Sequence, residues 1–134
     1  MKKYLLLSLL LSILSVNGHA AGSGAESGSG SEYFSFETPF VVNIMDNNRM
    51  RFLQIAMQMQ LVDPKTAMDI THHRDAIRHN VIMLLSAQEA QNLYSITGKE
   101  RLRRDTLKEI NAALKGRADH VEIEEIFFTS FIIQ

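Results

Sequence analysis

Three residues have the types and spacing of metal-binding chemistry: His72, Asp75 and His79 lie three and four residues apart. Imidazole and carboxylate together suit divalent first-row metals, and on one α-helix this spacing puts all three on one face. Two histidines a full heptad apart are separated by about 10 Å along a helix axis, however. They can share one ion, with ligand bonds of about 2 Å, only if the helix bends or another chain contributes. The same face could serve as a pH-sensitive partner surface, because imidazole changes charge near neutral pH, or could simply be solvated. His73 lies nearer the apolar side of the helix and reads as a partly buried, hydrogen-bonded residue. His120 has no evident partner.

A second set is basic. Arg101, Arg103, Arg104 and Lys108 crowd one segment, with Glu100 to Arg104 and Arg101 to Asp105 at salt-bridging spacing. It reads as a solvated helix face balanced by its own acids, or as a patch for an anionic partner. Together the two sets define an alternative function, a periplasmic metal- or anion-binding module. Gly22, Gly24 and Gly28 imitate a phosphate-cradling loop, but no strand precedes them and no Lys-Ser/Thr pair follows. Met45, Met50, Met57, Met59, Met68 and Met83 form no repeated motif and read as core or interface filler. No nucleophile elbow, recognisable acid pair or phosphate loop is present. The sequence therefore assigns no catalytic, cofactor-binding or metal residue, and a non-enzymatic protein without a cofactor is expected.

The bulk numbers fit one domain. Of 134 residues, 46% are hydrophobic and 22% charged, an ordinary globular balance. The absence of cysteine excludes a disulfide framework, a lipoprotein anchor, a thiol nucleophile and the usual structural zinc site. The net charge of −1 gives no nucleic-acid footprint.

Lys2 and Lys3 precede an apolar run from Tyr4 to Val16, followed by Asn17, Gly18, His19 and Ala20. That is the pattern of a secretory signal peptide over residues 1–20, and the run falls short of the roughly 20 residues a membrane span needs. Export to the periplasm or outside the cell follows, with membrane association only if the segment is retained. Residues 21–32 are a flexible linker holding four of the seven glycines. Residues 33–134 form the folded domain.

Within that domain Phe34, Phe36, Phe40, Val42 and Ile44 alternate with polar residues, and Pro39 either pushes this strand toward a sheet edge or marks an interruption before Phe40. Asp46 to Asn48 supply a turn into a second strand over 50–62, in which apolar residues alternate with Gln54, Gln58 and Gln60. The glutamine row reads as a solvated face. Asp63 and Pro64 start a helix to about Leu85 with an apolar stripe of Ala67, Ile70, Ile77, Val81 and Leu84. Ser86 with Glu89 reads as a capping box for a short helix through Leu93, and Thr97 with Glu100 repeats the pattern. A second long helix is expected from Gly98 to Lys115, burying Leu102, Leu107, Ile110 and Leu114 and ending at Gly116. The last strand, 121–134, has apolar residues on both alternating sets from Ile126 onward, which predicts cover on both faces, and its phase slips near Glu124 and Glu125, which predicts a bulge. The fold class is α+β, an antiparallel hairpin and a C-terminal strand with two long helices on one sheet face.

This order of segments resembles the FliL family of flagellar basal-body-associated proteins. The resemblance rests on Pro39-Phe40-Val41-Val42-Asn43, Phe52-Leu53-Gln54, Arg74-Asp75-Ala76-Ile77, Leu84-Leu85-Ser86, Gly98-Lys99-Glu100 with Leu102, Glu109-Ile110-Asn111, and Ile126 through Gln134. It implies a stomatin-like periplasmic domain that assembles into rings around the flagellar stator units. The implied partners are stator and basal-body proteins, and the implied role is non-enzymatic support of motor rotation and motility. Family members usually carry a true membrane helix, from which the short apolar run here departs.

Overall fold

The computed structural model describes residues 32–117 and 123–134. The signal segment, nearly all of the linker, His120, Val121 and Glu122 lie outside the described residues. The chain order is β1 (Glu32–Ser35), β2 (Phe40–Asp46), β3 (Arg49–Leu61), α1 (Lys65–His72), α2 (Arg74–Ser86), α3 (Ala90–Leu93), α4 (Ile96–Leu114) and β4 (Ile123–Ile133).

All strand pairing is antiparallel and centred on β3. Leu53 and Ile55 pair with Val42 and Phe40 of β2, and also with Ile133 and Phe131 of β4, so β2 and β4 flank β3 on opposite sides. β1 continues the β2 side by pairing 32–35 with 58–61. The expected first strand is thus one edge strand interrupted at Pro39, which has no N–H to give to a ladder. Arg78 of α2 spans the interruption, donating from Nη1 to the Thr38 carbonyl (3.1 Å) and from Nη2 to the Pro39 carbonyl (3.0 Å). Its guanidinium lies 4.6 Å from the centre of the Phe40 ring. Between β2 and β3 the expected turn forms with positive φ at Asn47 (46°) and Asn48 (65°), a backbone asparagine tolerates better than most residues.

The helices cover one sheet face. Odd-numbered β3 residues from Leu53 to Leu61 point into a core shared with Phe40, Val42 and Ile44, and with Ile70, Ile77, Val81, Leu85, Leu102, Ile110 and Leu114 of the helices. Three helix expectations change. The long first helix is two, broken at His73 (φ −100°, ψ 14°), where the ring Nε2 lies 3.3 Å from the Arg117 carbonyl oxygen. Ser86 closes α2 instead of capping a helix, and α3 starts at Ala90 without a side-chain cap. α4 is capped by Ser95 rather than opened near Thr97, because the Ser95 Oγ accepts from Gly98 N–H at 3.0 Å. At the other end Gly116 takes the expected left-handed conformation (φ 79°).

β4 carries the main correction. The expected bulge is present, with Glu124 unpaired between Ile123 and Glu125. A second one at Thr129 lies between Phe128, opposite Met57, and Ser130, opposite Ala56. Each bulge shifts the in-and-out alternation by one residue. Ile123 and Ile126 are therefore buried, and Phe128, Phe131 and Ile133 pack on the same core. The described residues cover the apolar run on one face; Phe127 and Ile132 point away from the helices, 40% and 42% exposed.

Candidate interaction surface

The metal-binding spacing does not survive folding. The break at His73 puts His72 on α1 and Asp75 and His79 on α2, and all three are exposed. No group of three or more His, Asp or Glu among the described residues is placed to hold a metal ion. His73 has the partly buried, hydrogen-bonded environment expected of it. In the basic segment neither expected pair forms. Glu100 turns to Arg103, Oε2 to Nε at 3.0 Å, rather than to Arg104. Arg103 alone of the four points toward the sheet, where its Nη1 lies 2.6 Å from Glu125 Oε1 and donates to the Ile126 carbonyl at 3.3 Å.

The sheet face opposite the helices is uncovered by any described residue. Across it run Val41, Gln54 and Ile132 in one row and Ser35, Gln58 and Phe127 in another. Val41 and Phe52 are 56% and 51% exposed, and the Tyr33 and Phe127 rings lie 6.4 Å apart. The glutamine row is therefore interleaved with large apolar side chains. Such a mixture exceeds the scatter of single exposed hydrophobes on an ordinary surface.

This face ends at an open strand edge. Phe52 and Gln134 exchange both main-chain hydrogen bonds, at 2.8 and 3.0 Å. By antiparallel alternation, Ile133 and Phe131 then stand in the non-bonded pairs with Leu53 and Ile55, so their N–H and C=O groups point away from β3. Among the described residues no strand pairs with them. Beside this edge a groove of about 440 Å³ is lined by Lys99, Glu100 and Arg103 of α4 and by Glu125, Phe127, Phe128 and Phe131 of β4. Lys99 Nζ lies 5.1 Å from the centre of the Phe131 ring. Aromatic walls, the Lys99 ammonium and main-chain groups that no described strand pairs suit the binding of an extended polypeptide.

The opposite edge is guarded. Beyond the Arg78 clamp, Glu89 forms an isolated parallel bridge with Met45. The end of the β2–β3 hairpin is tied to α3 through Asp46, which accepts from Tyr94 Oη at 2.9 Å and from Gln91 Nε2 at 3.2 Å, with Arg51 Nε at 3.5 Å. The Tyr94 hydroxyl foremost, then Gln91 and Arg51, hold the Asp46 carboxyl below the usual aspartate range; the same bond raises the tyrosine above its own. Sequence reading passed over Arg78, Tyr94 and the inward role of Arg103. Their partners lie 39 to 40, 48 and 22 to 23 residues away, and no local spacing rule reaches that far.

Residues 33–134 match the model of a family described as "Flagellar basal body-associated protein FliL". A curated relative, "Flagellar protein FliL" of Aquifex aeolicus (strain VF5), is 23% identical over 101 residues, which is 75% of this chain and 60% of the relative. The chain thus spans about 60% of the length of that relative. No helix among the described residues is long and apolar enough to cross a membrane. With an antiparallel α+β domain and a family match running from β1 to the end of β4, the chain belongs to the flagellar basal body-associated FliL family.

Proposed function

We propose that this chain is a non-enzymatic accessory protein of the flagellar motor. It acts in the periplasm and associates with stator and basal-body components and with further copies of itself. The observation that carries the reading is the one-sided helix layer. It leaves Phe127 and Ile132 of β4, with Val41 and Phe52, on an open sheet face that ends at an unpaired edge. The N-terminal Lys-plus-apolar pattern supports export. Assembly by a mixed polar and apolar face needs no titrating or nucleophilic group.

The test combines assembly with motility. Phe127→Asp with Ile132→Asp puts two charges on the open face and none in the core. Crosslinking and light scattering of the exported protein across a wide concentration range should show assemblies that this variant loses, and swarming of cells carrying it should fall. A protein that is monomeric throughout, in cells whose motility is indifferent to its deletion, would end this reading.

A further inference from the structure

α4 presents a line of unneutralised cations to solvent. At 3.6 residues per turn, Arg101, Arg104, Lys108 and the C-cap residue Lys115 fall within an arc of about 60°, along about 21 Å of axis. All four are exposed, and none makes an ion pair among the described residues. The acids that could balance them are drawn aside. Glu100 serves Arg103, and Glu109 accepts from Asn80 of α2 at 3.1 Å. Among the described residues of α4, Asp105, exposed as well, is the acid that borders the line. This positive line stands out on a chain whose net charge is −1.

We infer that this face of α4 docks an acidic segment of another protein. Charge complementarity selects the partner, because four cations at spacings of three, four and seven residues attract carboxylates and contain no apolar anchor. α4 buries its apolar side, Leu102, Ile110 and Leu114, in the core. Its exposed large apolar residue, Ile96, lies at the first turn and off the line. A lipid surface would therefore meet head-group contacts alone, without the inserted apolar face that interfacial helices use. The site lies on the side of α4 away from its buried residues and shares no residue with the groove beside the β4 edge, so it is separate from self-association through the sheet.

The test uses the full chain and fluorescent poly-L-glutamate as probe. At about 0.01 M salt, where the screening length is about 30 Å, the wild type should bind, and binding should vanish near 1 M salt, where it is about 3 Å. Arg104→Glu with Lys108→Glu should weaken binding about tenfold or more, while Asp105→Asn should strengthen it about two- to threefold. All three positions are exposed, so thermal midpoints should stay near that of the wild type. Vesicles of phosphatidylcholine and phosphatidylglycerol in equal parts should sediment wild type and charge-reversed protein equally. Failure of the wild type to bind poly-L-glutamate overturns the inference, as does binding unchanged in both variants. Vesicle binding lost in parallel with peptide binding would overturn it in favour of a lipid head-group site.

Discussion

Replacing Arg78 with methionine keeps the aliphatic stem and removes the guanidinium that bridges the break between β1 and β2. Two bonds to main-chain carbonyls, at 3.1 and 3.0 Å, and a stacking contact at 4.6 Å on Phe40 are lost together. A hydrogen bond to a charged donor contributes about 1.5–3 kcal/mol when shielded. Arg78 is only half-buried, so about 1 kcal/mol each is the sounder figure after discounting for solvent. The cation over the ring adds about 0.5–1 kcal/mol at such a site. The sum is about 2–3 kcal/mol, with Thr38 and Pro39 carbonyls left to find water. With a urea slope of about 1–2 kcal/mol/M for a small domain, the unfolding midpoint should fall by about 1–3 M. Arg78→Lys should recover less than half of this, because an ammonium cannot serve both carbonyls and the ring at once. In a double-mutant cycle with Phe40→Leu, the coupling should match the stacking share of about 0.5–1 kcal/mol. A midpoint within about 0.2 M of the wild type would refute the idea that Arg78 pins the strand break.

Other perturbations probe separate joints. Tyr94→Phe removes the leading cause of the depressed Asp46 pKa. A depressed carboxyl stabilises the fold above its unfolded value and loses that contribution as pH falls through its lower folded value. The variant should therefore show a shallower decline of urea midpoint than wild type below about pH 4, and superimposable profiles would count against the assignment. Gly98→Ala places a Cβ 1.6 Å from the Asn92 carbonyl oxygen. Main chain must move, so a loss of about 2–4 kcal/mol is expected by chemical denaturation; a neutral result would mean α3 shifts freely. Deleting Thr129 removes the second bulge yet leaves Phe128, Phe131 and Ile133 facing the core, so the domain should stay folded with a β4 register continuous by amide NMR. Collapse to an unfolded or repaired register would show the bulge to be required.

The legible parts of this fold were those set by neighbours in sequence. The Asn47-Asn48 turn, the strand break at Pro39, the apolar face of β3 and the Gly116 helix end each follow from conformational preferences within a few residues. β4 shows where such reading stops. Strict alternation made its apolar run two-sided, because nothing local in Phe128-Thr129-Ser130 marks an extra residue; the bulge is defined by what Met57 and Ala56 oppose. His73 is similar, since its helix break coincides with a contact to Arg117, far along the chain. Helix starts misled for a different reason. Ser86 and Thr97 satisfy the capping-box pattern better than Ser95, which has Gly98 in place of an acid three residues on, yet Ser95 makes the cap. For the surface, the sequence identified the cations of α4 but paired Glu100 one residue too far along, with Arg104 instead of Arg103, and paired Arg101 with Asp105, which stands apart from it.

The two sheet edges also set a valence. Sheet extension needs an open edge from each participant, and among the described residues β4 offers a long one while Pro39, Arg78 and Glu89 obstruct the other along β2. A molecule with a single such bond can pair once and then has none left, so joining through strands stops at two, whatever the concentration. Any closed circle of more members must turn a corner through a second, chemically different contact. Its size would then depend on the angle between strand pairing and face packing, and a substitution on the open face could change the number of members without unfolding any of them.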